Sequence, residues 1–239
     1  MSTDSTTEQE TGQQQERRPL RDNGLSLFFG GILLLTLAFQ ALAGTAETNA
    51  QSRVDGMPMM TVADYVTSSQ FGVDIAENWQ SEYLQFLLFI LGTIWLVQRG
   101  SPESKQLDKV GRESQKDQKL GRYATADSPK WAKAKDWRLP VYSHSLGLLM
   151  GLIFLLSWLA QLVAGTTAYN AERLQNLQDP VSMGGYLMSA DFWNRTLQNW
   201  QSEFLAVGSM VVLSIYLRER GSNESKAVGE PHESTGASG

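Results

Sequence analysis

The sequence contains no cysteine and only two histidines. Without thiols there is no structural disulfide, no thiolate metal site and no cysteine nucleophile. His232 stands in a polar tail, which leaves His144 alone, so neither a histidine-rich metal centre nor a Ser-His-Asp triad can be assembled. No phosphate-cradling glycine loop of the G-x-x-x-x-G-K or G-x-G-x-x-G type occurs. Charge is missing from long stretches: residues 25–43 and 145–164 carry none. The net charge of −5 and the slightly negative mean hydropathy conceal this, because the apolar residues gather into four blocks and the rest is strongly polar.

The other two blocks, 83–97 and 204–217, are each preceded by N-W-Q-S-E. Counted from Trp79 or Trp200 they reach about 20 residues, which at ~1.5 Å per residue matches the ~30 Å of a bilayer core. Four transmembrane helices are therefore predicted, at about 25–43, 79–98, 145–164 and 200–218. Trp79 and Trp200 fall at one headgroup level, and Trp95 and Tyr216 at the other, just before Arg99 and the Arg218/Arg220 pair. A cleaved secretory signal is the alternative for the first block, since Arg17, Arg18 and Arg21 precede it and Ala41-Leu42-Ala43 resembles a cleavage site. The block is longer than the usual signal core and an equivalent recurs in mid-chain, so a retained helix is expected. Of 20 lysines and arginines, 17 lie before the first block, between the second and third, or after the fourth. Only Arg53, Arg173 and Arg195 occupy the two hairpin loops. Positive charge resists translocation, which places both termini and the central linker in the cytoplasm and both hairpins outside the inner (plasma) membrane.

Sliding the chain against itself by 121 residues matches it without a gap, with 31 identities over the 89 pairs from Arg17/Arg138 to Lys105/Lys226. Many matches are polar, so shared hydrophobicity does not explain them. The expected fold is an all-α integral membrane protein of two tandem helical hairpins with the same orientation. A pseudo-twofold axis along the membrane normal would relate them. The recurring Q-x-x-A-G, Y-x-x-S-x-x-F, N-W-Q-S-E and R-G-S-x-E-S-K motifs resemble those of an uncharacterised bacterial family of small four-helix membrane proteins. The resemblance implies a membrane location and a hairpin repeat, and lends no activity or ligand.

The domain reading is a disordered cytoplasmic tail at 1–16, hairpin repeats at 17–105 and 138–226, a polar basic linker at 106–137 and a second disordered tail at 227–239. Pro58 and Pro180 suggest turns, Ser68 and Ser189 are expected N-caps, and Gly100 and Gly221 signal the ends of the second helices. His144 aligns with Asn23 and reads as a polar helix flank. The linker holds Trp131 and Trp137 beside lysines; it either contacts anionic lipid or serves as a solvated connector that sets topology.

The candidate site is the repeated N-W-Q-S-E motif, with Asn78, Trp79, Ser81 and Glu82 in one copy and Asn199, Trp200, Ser202 and Glu203 in the other. Gln40 and Gln161 lie at comparable depth. Each Glu is expected to pair with the Gln of its own hairpin as a polar clasp; alternatively Glu82 and Glu203 meet near the axis as a cation or proton site, or the motif binds a membrane protein or lipid headgroup. Ser26-x-x-x-Gly30 and Gly147-x-x-x-Gly151 are expected to let helices one and three touch, or copies dimerise. No charged residue lies deep in a span and no nucleophile–base pair is visible. The expectation is a non-enzymatic structural, assembly or partner-binding membrane component without cofactor, metal or nucleic acid. The rivals are a small oligomeric channel or transporter using Glu82 and Glu203, and a membrane enzyme using them as an acid/base pair.

Overall fold

The computed structural model describes residues 19–236 and is all-α, divided into two compact units, 1–66 and 67–239. The tail at 1–16 and Arg17 and Arg18 lie outside the described residues.

In the first unit a short α1, Pro19–Asp22, precedes the 32-residue α2, Gly24–Asp55, about 48 Å long. The break falls at Asn23, with φ −116° and ψ 17°. Gly56 ends α2 at φ 67°, a left-handed conformation that glycine enters without a Cβ penalty, and its own N–H donates to the Ser52 carbonyl, closing the last turn. The chain then folds back into α3, Val62–Val66. Asn49 fixes this return with two backbone bonds: its Nδ2 donates to the Met60 carbonyl at 2.9 Å, and the Met60 N–H donates to its Oδ1 at 2.8 Å. Tyr65 is buried, its ring laid against the bare backbone of Gly44, where any Cβ would occupy the ring's space.

The second unit repeats these devices 121 residues later. It contains α4, Ser69–Gly92; α5, Arg138–Ser143; α6, Ser145–Gln175; α7, Met183–Leu187; and α8, Ala190–Tyr216. His144 separates α5 from α6 at φ −119° and ψ 8°, the conformation of its counterpart Asn23. Asn170 holds Val181 through the same pair of bonds, both 2.8 Å, and Tyr186 lies against Gly165. Ser68 caps α4 and Ser189 caps α8, each accepting from the N–H three residues on at 3.2 Å, as the sequence predicts. Asn170→Ala removes both bonds of the return loop and is expected to cost about 1 kcal/mol, because the freed backbone groups regain water at the surface. An unchanged thermal midpoint in detergent would show the loop to be held by something else.

Gly100 and Gly221 do not end the helices. α4 stops at Gly92 and α8 at Tyr216. The Ile94 carbonyl accepts the Gly111 N–H at 2.8 Å, and the equivalent Ile215 carbonyl lies 3.0 Å from Nδ1 of His232, so residues 17 further along take the groups that would continue each helix. The glycines instead take left-handed conformations, φ 85° and φ 89°, inside matching turns. The linker carries two 3₁₀ turns, Gly121–Tyr123 and Lys130–Lys133. Residues 227–236, expected to be disordered, are bonded into the fold as described below.

α4 runs antiparallel to α6: Gly72 meets Ala164, Leu87 covers Gly151, and Leu91 covers Gly147. The small-residue face of α6 thus receives leucines from α4. α8 packs against α4 as well. Among the described residues two helices, α2 and α6, are long and apolar enough to cross a membrane. The outer face of α6 is leucine throughout; Leu146, Leu148, Leu149, Leu152, Leu155, Leu156 and Leu159 are each more than half exposed. A soluble monomer rarely leaves so continuous an apolar stripe uncovered.

Candidate functional site

A polar seam runs along the interface of α4, α6 and α8. At its upper end Asp74 and Glu77 of α4 both grip Arg195 of α8: Arg195 Nη2 donates to Asp74 at 2.8 Å and Nε to Glu77 at 2.7 Å. All three side chains are largely withdrawn from water, Glu77 to 14% exposure. Burial raises the Glu77 carboxyl above its ordinary range and outweighs the attraction of Arg195. Burial works against the Arg195 guanidinium too, but the two carboxylates more than compensate and hold it above its usual value. The Tyr186 phenol donates to Asp191 at 3.1 Å, and burial together with that carboxylate pushes its pKa up. It therefore stays protonated as a fixed donor.

One turn further along, Gln80 and Gln161 are completely buried. Gln80 Oε1 accepts from the Trp200 indole at 2.8 Å, and Gln161 Nε2 donates to the buried Thr196 hydroxyl at 3.2 Å. The Trp158 ring lies 6.1 Å from that of Trp200 and stacks against Phe154 and Phe192. Gln80 Nε2, Trp158 Nε1 and Gln161 Oε1 have no hydrogen-bond partner among the described residues.

The expected clasp between Glu and Gln takes another form. Gln161 pairs with Thr196, while Glu203 comes within electrostatic reach of its own equivalent, Glu82. Gln40 is half-buried in α2. The remaining motif residues serve their own helices: Asn78 donates to the Asp74 carbonyl at 2.7 Å, Ser81 to Asn78 at 2.8 Å, Asn199 to Arg195 at 3.0 Å and Ser202 to Asn199 at 2.8 Å. Trp79 remains 44% exposed, whereas Trp200 turns inward to Gln80, so the repeated tryptophans have diverged. Sequence reasoning missed Asp74, Glu77, Arg195 and Thr196. Asp74 and Arg195 are 121 residues apart, one repeat position with opposite charges in the two copies, and that substitution was the available signal.

At the far end, the two R-G-S-x-E-S-K motifs form matching turns. The Gln98 and Glu219 N–H groups donate to Ser104 and Ser225, both at 2.9 Å. Lys105 donates to the Gly111 carbonyl and pairs with Glu113. Its equivalent Lys226 is buried and has no carboxylate; its ammonium donates to the carbonyls of Gly100 at 2.7 Å, His232 at 2.9 Å, and Pro231 and Ser234 at 3.2 Å. Burial lowers its pKa. The second turn is thereby tied to the first. Glu103 and Glu224, also equivalent, come within hydrogen-bonding reach, and burial with mutual repulsion raises the Glu103 carboxyl. Among the described residues no group of His, Asp and Glu has the arrangement of a metal site.

Equivalent residues thus come within reach of one another along the seam, Asp74 and Arg195 as an ion pair, Glu82 and Glu203 electrostatically, and Glu103 and Glu224 at the far end. A family profile described as a domain of unknown function, DUF6766, matches residues 16–237. The chain belongs to this family. The match spans both repeats, the linker between them and the C-terminal turns, so the family unit is the duplicated whole rather than one repeat. No curated protein and no solved structure matches the chain.

Proposed function

We propose that this member of the family is a four-span integral membrane protein of the plasma membrane, a non-enzymatic structural, assembly or partner-binding component. Both hairpins enter the bilayer from the cytoplasm. The observation that carries this reading is the approach of equivalent residues along α4 and α8 and the turns that follow them: Asp74 pairs with Arg195, Glu203 feels the charge of Glu82, and Glu103 that of Glu224. Residues lie beside their own equivalents only near a twofold axis, and contacts spread along both helices require that axis to run with them. α4 and α8 are then parallel, and the antiparallel α6 returns beside α4, which is the order of two like-oriented hairpins. The exposed leucine face of α6 supplies the lipid contact.

Alkaline carbonate washing of membranes is the direct test. The chain is expected to stay in the pellet and leave it only with detergent; recovery in the wash would refute the membrane reading. A second reading, a small oligomeric channel or transporter, draws on the approach of Glu203 to Glu82. It requires cation flux into liposomes that Glu82→Gln and Glu203→Gln together abolish.

A further inference from the structure

A groove of about 390 Å³ lies between the lower halves of α4 and α8, walled by Leu88 and Phe89 on one side and Phe204, Val207 and Val211 on the other. Its floor is polar, formed by Ser101, Glu103 and Ser104 of the first R-G-S-x-E-S-K turn. It follows α4 from Gln85 to Gly92, about 10 Å at the helical rise, and continues past Leu96 to the turn. That length is comparable with one leaflet, half of the ~30 Å hydrocarbon core. We infer that the groove holds one acyl chain of a cytoplasmic-leaflet phospholipid whose headgroup carries a primary ammonium, received by Glu103 with Glu224 beside it.

The inference rests on the membrane reading above, which places this end of α4 and α8 at the cytoplasmic surface. The walls offer an alkyl chain apolar contact along its length, and the floor offers acceptors where the headgroup must lie. Charge decides the headgroup. Glu103 and Glu224 lie within reach of each other with the same sign, and among the described residues neither has a basic partner: Lys105 is engaged by Glu113, and Lys226 is enclosed by backbone carbonyls. An ammonium between them offsets both the burial and the repulsion, and its three donors match the acceptors present. A glycerol headgroup offers hydroxyls without the charge.

The test uses the full chain in mild detergent, mixed with equal amounts of phosphatidylethanolamine and phosphatidylglycerol of identical acyl chains, with retained lipid counted by native mass spectrometry. The native protein is expected to keep one phosphatidylethanolamine in preference to phosphatidylglycerol by about five- to tenfold, the worth of one partly buried charge-assisted bond. Glu103→Gln should bring that ratio close to one while lipid is still retained. Val207→Trp, which fills the groove, should reduce retention of both. Equal retention by the native protein, a ratio unmoved by Glu103→Gln, or occupation by a second protein copy would each overturn the inference. The membrane reading fails separately, by release of the chain in the carbonate wash.

Discussion

Arg195→Ala is expected to lower the unfolding free energy by about 3 kcal/mol, the low end of the cost of removing one partner from a buried ion pair. The change leaves Asp74 and Glu77, one turn apart on α4, without the cation they share, while both remain largely withdrawn from water. Their neighbours offer little relief, since α8 presents Asp191 to the same region. The informative companion is the exchange Asp74→Arg with Arg195→Asp. Because these positions are equivalent in the two repeats and face one another at 2.8 Å, reversing the pair recreates the contact in mirror order, with Glu77 one turn from the relocated arginine. The double variant should recover more than half of the loss in chemical or thermal unfolding. If it is as unstable as Arg195→Ala, the contact depends on more than the two charges and the equivalence of the positions does not matter energetically.

Lys226→Met is expected to cost about 2 kcal/mol and to act locally. Hydrogen bonds from a charged donor are each worth more than neutral ones, and this ammonium serves four carbonyls from two separate segments. Methionine preserves the length of the side chain and loses every donor. The segment Pro231–Gly236 lies over the Gly100 turn, where the Gly100 N–H donates to Thr235 at 2.8 Å and the Gly236 N–H to Ser101 at 3.0 Å. Released from the lysine, that segment should open well before the helices do. Amide hydrogen exchange is the measurement: residues 231–236 and the 100–104 turn should exchange at least tenfold faster, with α4 and α6 unchanged. Uniform acceleration throughout the protein would show the lysine to be part of the global core.

The duplication was legible because its identities are the parts that shape the backbone. Asn49 and Asn170, Tyr65 and Tyr186, and Ser68 and Ser189 recur in the sequence and perform the same bond or contact in both halves. The partner of Gln161 was not legible, since Thr196 replaces Ile75 and a reading based on shared residues passes over it. Asp74 and Arg195 escaped for the same reason: an identity count discards opposite charges, although opposite charges are what two facing equivalents need in order to attract. The helix ends escaped because Gly100 and Gly221 do carry the left-handed backbone that often stops a helix. The actual stops lie at Gly92 and Tyr216, where groups from 17 residues further on engage Ile94 and Ile215. Nor did the polarity of the C-terminal residues reveal their order, which comes from hydrogen bonds to Lys226, Arg218 and the Gly100 turn rather than from a core of their own.

Absence of native cysteine makes the central claim open to single-site labelling without any prior replacement. Val54→Cys and Leu177→Cys place one thiol in the exposed return of each hairpin, and Lys116→Cys places one in the linker. With a membrane-impermeant maleimide on intact cells, both hairpin thiols should react, and the linker thiol should react only after the cells are opened. Labelling of one hairpin thiol and protection of the other would mean that the two copies cross the membrane in opposite senses, and the account of two like-oriented repeats around a shared axis would be wrong.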